Sequence, residues 1–299
     1  MPVDTEQAHR QAIIDTFSRD SEYWRNVYEE TPEKEKVGGL MQGGVFANSE
    51  IVDRRNVVLD FVDKYAGHRK VLVLDLGCGT GMTMRDILKR GHGVVGTDIT
   101  EAMLHQAKTV LERYIPGRAN CILGDGENVP FKDRSFDVVL CMGVLQYLRT
   151  DQRIIAEMSR VVRDGGIVVL TLPNILRINN VLDPYYYIVK GIEYIAQKNP
   201  LSKNCRTGAL SSLDFIANTR FAHRRYYYGQ LSALFKRNNL RRLAVRGIGF
   251  GPMTFWRKQL LPIRFSIRIS RFMQNAALKK HFSLLNIFAN RWVVCLIKS

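Results

Sequence analysis

The chain lacks the marks of a secreted, disulfide-stapled or membrane-spanning protein. Its five cysteines, Cys78, Cys121, Cys141, Cys205 and Cys295, are scattered, with no C-x-x-C pair and no Cys/His cluster. That spacing indicates neither a disulfide framework nor a zinc site, and no metal is expected. The first twenty residues carry Asp4, Glu6, Arg10, Asp15, Arg19 and Asp20, where a signal peptide needs an apolar run. The most apolar later stretches, 181–196 and 282–297, are broken by Asp183, Lys190, Glu193 or Arg291 and are too short to span a bilayer. A reducing, cytoplasmic compartment is expected. Acidic residues are the last shortage: only three of the 28 fall in residues 171–299, which hold 22 of the 44 Lys and Arg. The net charge of +16 is therefore a balance of −3 over residues 1–170 and +19 over the remainder.

What is present is globular. With 299 residues, 46% of them apolar and 24% charged, the chain can bury one large α/β core with insertions, or two modest ones. Between about residues 71 and 172, short apolar runs (VLVLDL, VVGTDI, FDVVLCM, GGIVVLTL) alternate with amphipathic stretches (AMLHQAKTVLERY, QRIIAEMSRVVR). Continuous apolar runs between helices mark a parallel sheet covered on both faces. Four regions follow: a helical lid segment at 1–66, the core at 67–173, a basic aromatic insertion at 174–226, and completion of the core at 227–299. The first contains helices near 21–30 and from about Asn48 to Tyr65, with Gly38, Gly39, Gly43 and Gly44 as a hinge. The last contains a helix starting at Tyr227, a strand from Arg242 to Ile248, an insertion over about 254–286 and a closing strand from Arg291 to Lys298.

The strongest chemical signal is Val71 to Gly81, a buried strand running into Gly77-Cys78-Gly79-Thr80-Gly81 and then a helix. Such glycines let backbone approach a ligand closely, and the helix start offers unpaired N–H groups. A G-x-G-x-x-G dinucleotide fingerprint would place its third glycine at position 82, where this chain has Met82, so the tighter loop disfavours a pyrophosphate ligand.

At these residues the chain resembles the class I S-adenosylmethionine (SAM) methyltransferases, particularly the ubiquinone/menaquinone-biosynthesis (type 11) family. Three further motifs carry the resemblance: Gly96-Thr97-Asp98-Ile99-Thr100-Glu101-Ala102-Met103, Gly124-Asp125-Gly126-Glu127-Asn128-Val129-Pro130-Phe131, and Ser135-Phe136-Asp137 running into Val138-Val139-Leu140. Asp164-Gly165-Gly166 stands where relatives often have P-G-G. The resemblance implies a Rossmann-like, doubly wound, mostly parallel seven-stranded sheet, to which the chain's own pattern adds helical or irregular insertions after strand 5 and between strands 6 and 7. It implies SAM as cofactor and S-adenosylhomocysteine (SAH) as product. Asp98 would bind the ribose hydroxyls, as an acceptor-only carboxylate can, with Ile99 and Met103 against the adenine and Asp125 near its amino group. Gly77 and Gly79 would line the methionine portion, with Asp75 bonding amides of its own loop, and Cys78, Gly81 and Gly126 complete the cofactor-binding set. Met142 after the fourth strand belongs to the same set. Tyr23, with Trp24 and Tyr28, lies in the segment that relatives fold over the cofactor, where an aromatic face suits a sulfonium or packs the helix.

Methyl transfer is an in-line displacement driven by alignment and exclusion of water, with a base needed for some acceptors. Relatives often carry His-His after the fourth strand, whereas this chain has Val144-Leu145-Gln146-Tyr147-Leu148. His223, in the acceptor region, and Tyr147 are the candidate catalytic groups. From Trp256 to Lys280, Arg257, Arg264, Arg268, Arg271 and Lys279 fall within about an 80° arc of a helix, opposite Phe265, Ile269, Phe272, Met273 and Ala276. This pattern fits a helix lying in a membrane interface or a cover helix with a solvated basic face, and Ile263 to Ser270 also alternates like a strand. The expected acceptor is a small molecule, lipophilic or phosphate-bearing, with an anionic membrane surface as a second partner, which would place the chain peripherally at the inner face of a membrane. An RNA methyltransferase and a non-catalytic SAM-binding scaffold are the alternatives. Against RNA, Asp183-Pro184-Tyr185-Tyr186 follows the fifth strand rather than the fourth, where amino-methylating nucleic-acid enzymes of this fold carry such a signature.

Overall fold

A computed structural model describes residues 5–29, 43–117, 120–188, 191, 224–256 and 258–299. Three helices come first: α1 (Thr5–Arg19), α2 (Ser21–Glu29) and α3 (Gly43–Ala66). The alternating core follows as β1 (Leu72–Leu76), α4 (Met82–Lys89), β2 (Gly93–Asp98), α5 (Glu101–Tyr114), β3 (Cys121–Leu123), β4 (Phe136–Cys141), α6 (Gln152–Val161) and β5 (Val162–Pro173). After α7 (Ile178–Leu182) come α8 (Ser232–Arg237), β6 (Leu240–Ile248), a hairpin of β7 (Thr254–Phe255) and β8 (Lys258–Gln259), α9 (Ile263–Ala277) and β9 (Arg291–Lys298).

Seven strands form one sheet in the order β3-β2-β1-β4-β5-β9-β6. The first five are parallel, and β9 runs antiparallel between β5 and β6. Because side chains alternate across a strand, each apolar run feeds both faces. In β4, Val139 and Cys141 join the cluster under α6 and α8, while Val138 and Leu140 join the cluster under α3, α4 and α5. That double burial is why the runs are continuously apolar. The Asp164-Gly165-Gly166 segment lies within β5, where the pairing with β4 shifts register, and Gly165 takes φ 71°.

Several sequence expectations are corrected. Gly43 and Gly44 open α3 rather than forming a hinge, and Gly38 and Gly39 lie outside the described residues. The helix expected from Tyr227 shortens to α8: Gly229 at φ 80° makes a turn before it, and Asn239 at φ 55° follows its end. The long basic helix expected from Trp256 becomes the hairpin followed by α9, which starts behind Pro262. Phe265 and Ser266 donate their N–H groups to the Pro262 carbonyl, so the helical rather than the alternating pattern is realised over 263–270. Arg257 lies outside the described residues. Among the described residues no helix is long and apolar enough to cross a membrane.

Candidate active site

Parallel strands deliver their carboxyl ends to one edge of the sheet, and a doubly wound sheet binds ligands there. After β1 the chain turns through Gly77, Gly79 and Gly81 at φ 70°, 53° and 75°, a region that favours glycine. The N–H groups of Gly77 and Cys78 donate to the Thr97 carbonyl at 2.7 and 2.9 Å, strapping the loop to the end of β2. A Cβ at Gly77 would overlap Val144, and one at Gly81 would press on Ala107 of α5 at 3.0 Å. At Gly79 a Cβ would meet open space. Two of the glycines therefore allow close packing, while the middle one leaves room beside the loop.

Two carboxylates flank this loop in different states. Asp75 is fully buried at the end of β1, and neither oxygen has a hydrogen-bond partner among the described residues. The expectation that it bonds amides of its own loop is therefore corrected; the Gly77 and Cys78 N–H groups are turned to β2 instead. Burial, reinforced by the Asp98 charge and opposed by Arg54, raises Asp75 to about 7. Asp98 is held firmly: its Oδ2 accepts the Gly79 N–H and its Oδ1 the Thr100 N–H, both at 3.0 Å. Burial raises its pKa, and those amides pull it back. Each Asp98 oxygen keeps lone-pair capacity beyond its amide, the arrangement needed for a diol.

Expected residues from the segments that follow β2, β3 and β4 lie along the same edge. Met103 is buried on α5, Ile99 is half-buried beside Asp98, and Met142 packs at the rim of the core beyond β4. Asp125 and Gly126 sit in a tight turn closed by a bridge between Asp125 and Asn128, and Asp125 pairs with Arg10 of α1 at 2.8 Å. Tyr147 ends a short 3-10 turn; its ring meets Phe17 edge-on at 5.1 Å, and its carbonyl accepts the His9 Nε2–H at 2.8 Å. Tyr23 is exposed on α2, edge-on to Trp24. His223 lies outside the described residues. Cys78 and Cys121, far apart in sequence, have thiols within hydrogen-bond reach; that bond and burial push Cys78 up.

Functional neighbours missed in the sequence come from distant segments. The N-terminal helices reach the site edge through His9, Arg10 and a contact from Arg25 Nη1 to Gln106 Oε1 at 3.1 Å. Arg54 of α3 is buried, and its guanidinium lies 3.1 Å from where a Cβ on Gly143 would be. Beyond β4, Arg224 grips Asp151 with two bonds of 3.0 and 2.6 Å, and the buried Tyr226 hydroxyl donates to the same carboxylate at 2.7 Å. Arg291 ties Glu50 of α3 to the buried Gln146 after β4 through two bonds of 2.8 Å. No local pattern marks these residues, because each partner is supplied by another element.

The aromatic and basic residues expected to stack a ligand are partly consumed by the fold. Tyr226 is buried on Asp151, and Tyr228 packs against Trp292 at 5.3 Å beneath Arg242. In the Asp183-Pro184-Tyr185-Tyr186 segment, the buried Asp183 carboxylate accepts bonds from Tyr185 N–H, Thr254 Oγ1–H and Trp256 N–H, which anchor the β7–β8 hairpin.

Residues 74–170 match the family model of the methyltransferase domain. Over 132 residues the chain is 32% identical to the demethylmenaquinone methyltransferase of Tropheryma whipplei (strain Twist), covering 41% of this chain and 54% of that protein. Over 143 residues it is 29% identical to the ubiquinone biosynthesis O-methyltransferase of Chromobacterium violaceum, covering 48% and 59%. The chain spans between 31% and 59% of the length of the curated relatives it matches. Its fold is similar to the crystal structure of magnesium protoporphyrin IX methyltransferase from Synechocystis PCC 6803 with bound SAH, at a TM-score of 0.63 and 12% identity over 97% of this chain and 100% of that one.

Proposed function

Because its core belongs to the class I SAM-dependent methyltransferases, we propose that this chain transfers a methyl group from SAM to a small, lipophilic acceptor. The observation that carries the reading is the buried, unpartnered Asp75 carboxylate beside the glycine loop, next to an Asp98 with acceptor capacity to spare. Leaving a buried carboxylate unpaired is costly, and SAM matches both groups, with a cationic amine for Asp75 and a ribose diol for Asp98. When bound, SAM supplies an electrophilic methyl on a sulfonium. The chain's part is to align the acceptor and exclude water. The α1–α2 segment serves as the cover, held to the site edge by His9 on Tyr147 and Arg10 on Asp125.

The acceptor enters between the Met142–Tyr147 segment and the strand-like return at Arg224–Tyr226, with Tyr147 positioned beside the reacting groups and His223 as the candidate base. A lipophilic acceptor is supported by the quinone-pathway methyltransferases among the relatives. The RNA reading is disfavoured by the internal use of Arg224, Tyr226 and Asp183. Incubation of the protein with radiolabelled SAM and a cell lysate, followed by separation into lipid-extractable, RNA and protein fractions, tests the proposal. Label in the lipid fraction supports it, label in RNA overturns it, and SAM binding without label in any fraction leaves a scaffold.

A further inference from the structure

A surface helix ordinarily buries its large apolar residues and exposes its polar ones. α9 departs from this at its two phenylalanines, while Ile263, Ile267, Ile269 and Met273 are half-buried. Its buried positions are Ser266, Ser270 and Ala277, whereas Phe265 is 57% and Phe272 74% exposed. On a helical projection the two phenylalanines stand about 20° apart, and Arg268, Arg264 and Arg271 continue the same exposed face over about another 100°. Small residues let the helix backbone sit close to α3 and β6, so the aromatic rings are left outside. The hairpin leading into α9 repeats the pattern. Trp256, at its tip with φ 51°, is 53% exposed, and Leu260 is 58% exposed.

The chain that carries these rings is charged with one sign, its acidic neighbours being the buried Asp183 behind Trp256 and Asp53 of α3 beside Arg271. Residues 224–299 contain 16 Lys and Arg and not one Asp or Glu; Lys258, Arg268 and Lys279 are exposed, and the Arg268 guanidinium lies 6.0 Å from the centre of the Phe265 ring. Exposed apolar patches of this kind mark interaction sites. Aromatic rings interleaved with cations suit a phase that is apolar below and anionic at its boundary, where tryptophan and phenylalanine enter and basic side chains meet phosphates. A helix of 15 residues is about 22 Å long, enough to lie along a surface and too short to span one.

We propose that α9 and the β7–β8 hairpin form a docking surface for an anionic phospholipid bilayer, with Trp256, Phe265 and Phe272 entering the headgroup boundary and Lys258 and Arg268 contacting lipid phosphates. This surface is separate from the glycine loop and from Asp75 and Asp98. Its test reads no methyl transfer, so failure here leaves the transferase reading standing.

The experiment is co-sedimentation of the full chain with vesicles of phosphatidylcholine containing phosphatidylglycerol, and with vesicles of phosphatidylcholine alone. The wild type is expected to sediment with the first and not with the second. Each basic side chain near an anionic surface is worth about 1 kcal/mol, roughly fivefold in partitioning, so Lys258→Gln with Arg268→Gln lowers binding about 25-fold. Phe265→Ser with Phe272→Ser lowers it at least about tenfold through lost apolar burial. In both variants the melting temperature and SAH affinity stay at wild-type values, because the changed side chains are exposed and away from the cofactor residues. Equal binding to the two vesicle types, or vesicle binding indifferent to the phenylalanine pair, overturns the proposal. So does a concentration-dependent dimer that the phenylalanine pair abolishes in the absence of vesicle binding, which assigns the face to a second copy. RNA binding sensitive to the cations and indifferent to the rings overturns it in favour of nucleic acid.

Discussion

Replacing Asp75 by asparagine separates what the carboxylate does for a ligand from what it does to the fold. The side chain keeps its shape and loses its charge. In the folded chain the carboxyl sits at about 7, against an ordinary 3.8. Between those values the folded state holds a proton that the unfolded state has released, so stability falls as pH rises. The contribution of the protonated form is complete below about pH 4, declines through pH 7, and the penalty is then constant. Each decade of pH is worth about 1.4 kcal/mol, which makes the full cost roughly 4 kcal/mol. Asp75→Asn removes this dependence. Without ligand, the variant is expected to match the wild type at pH 4 and to exceed it at pH 8 by up to about 4 kcal/mol, or on the order of 10 °C in melting temperature. Ligand binding moves oppositely. A cationic amine requires the ionised carboxylate, so wild-type affinity for SAH rises towards pH 7, approaching about tenfold per pH decade, while the variant binds weakly and without that slope. Melts at both pH values and calorimetric titration with SAH read both effects. A variant destabilised equally at pH 4 and pH 8, or one with unaltered SAH affinity and pH slope, refutes the reasoning.

The Asp98→Ala change removes both acceptors for the diol and releases the Gly79 and Thr100 amides. At about 1.5–3 kcal/mol per hydrogen bond to a charged group, SAH affinity should fall at least about a hundredfold by calorimetry; an unchanged dissociation constant rejects the ribose assignment. At Asp151, truncation to alanine strips Arg224 and the buried Tyr226 hydroxyl of their common partner. Stability in urea is expected to fall by about 3–5 kcal/mol, and a loss below about 1 kcal/mol would show that the cluster is dispensable.

The order of strands and helices over residues 71–172 was legible because its signals are local. A continuous apolar run, a glycine turn and an amphipathic stretch each announce themselves within about ten residues. The same holds for the closing strand, where Arg291–Lys298 coincides with the expected span. Legibility declined where turns decide length. Gly229 and Asn239 confine a pattern that reads as a long helix to Ser232–Arg237, and Pro262 sets the start of α9 after a hairpin that periodicity does not reveal.

For the site, the sequence by itself determined the glycine loop and the acidic residues at the ends of β1 and β2, since their positions depend on chain neighbours and on the strand-turn-helix they sit in. Only the tertiary structure decided that Asp75 is unpartnered, that Arg54 and the helices carrying His9 and Arg10 come to the same edge, and that Asp151 is shared by Arg224 and Tyr226. These contacts join segments about 20 to 140 residues apart, and packing selects them among many partners that local chemistry allows. The face of α9 follows the same rule. Its expected pattern sets Phe265 and Phe272 on the other side from Arg264 and Arg268, whereas the structure leaves both groups exposed and turns a third face to the core. Here Ser266, Ser270 and Ala277 permit a close fit, and the rings are turned outward.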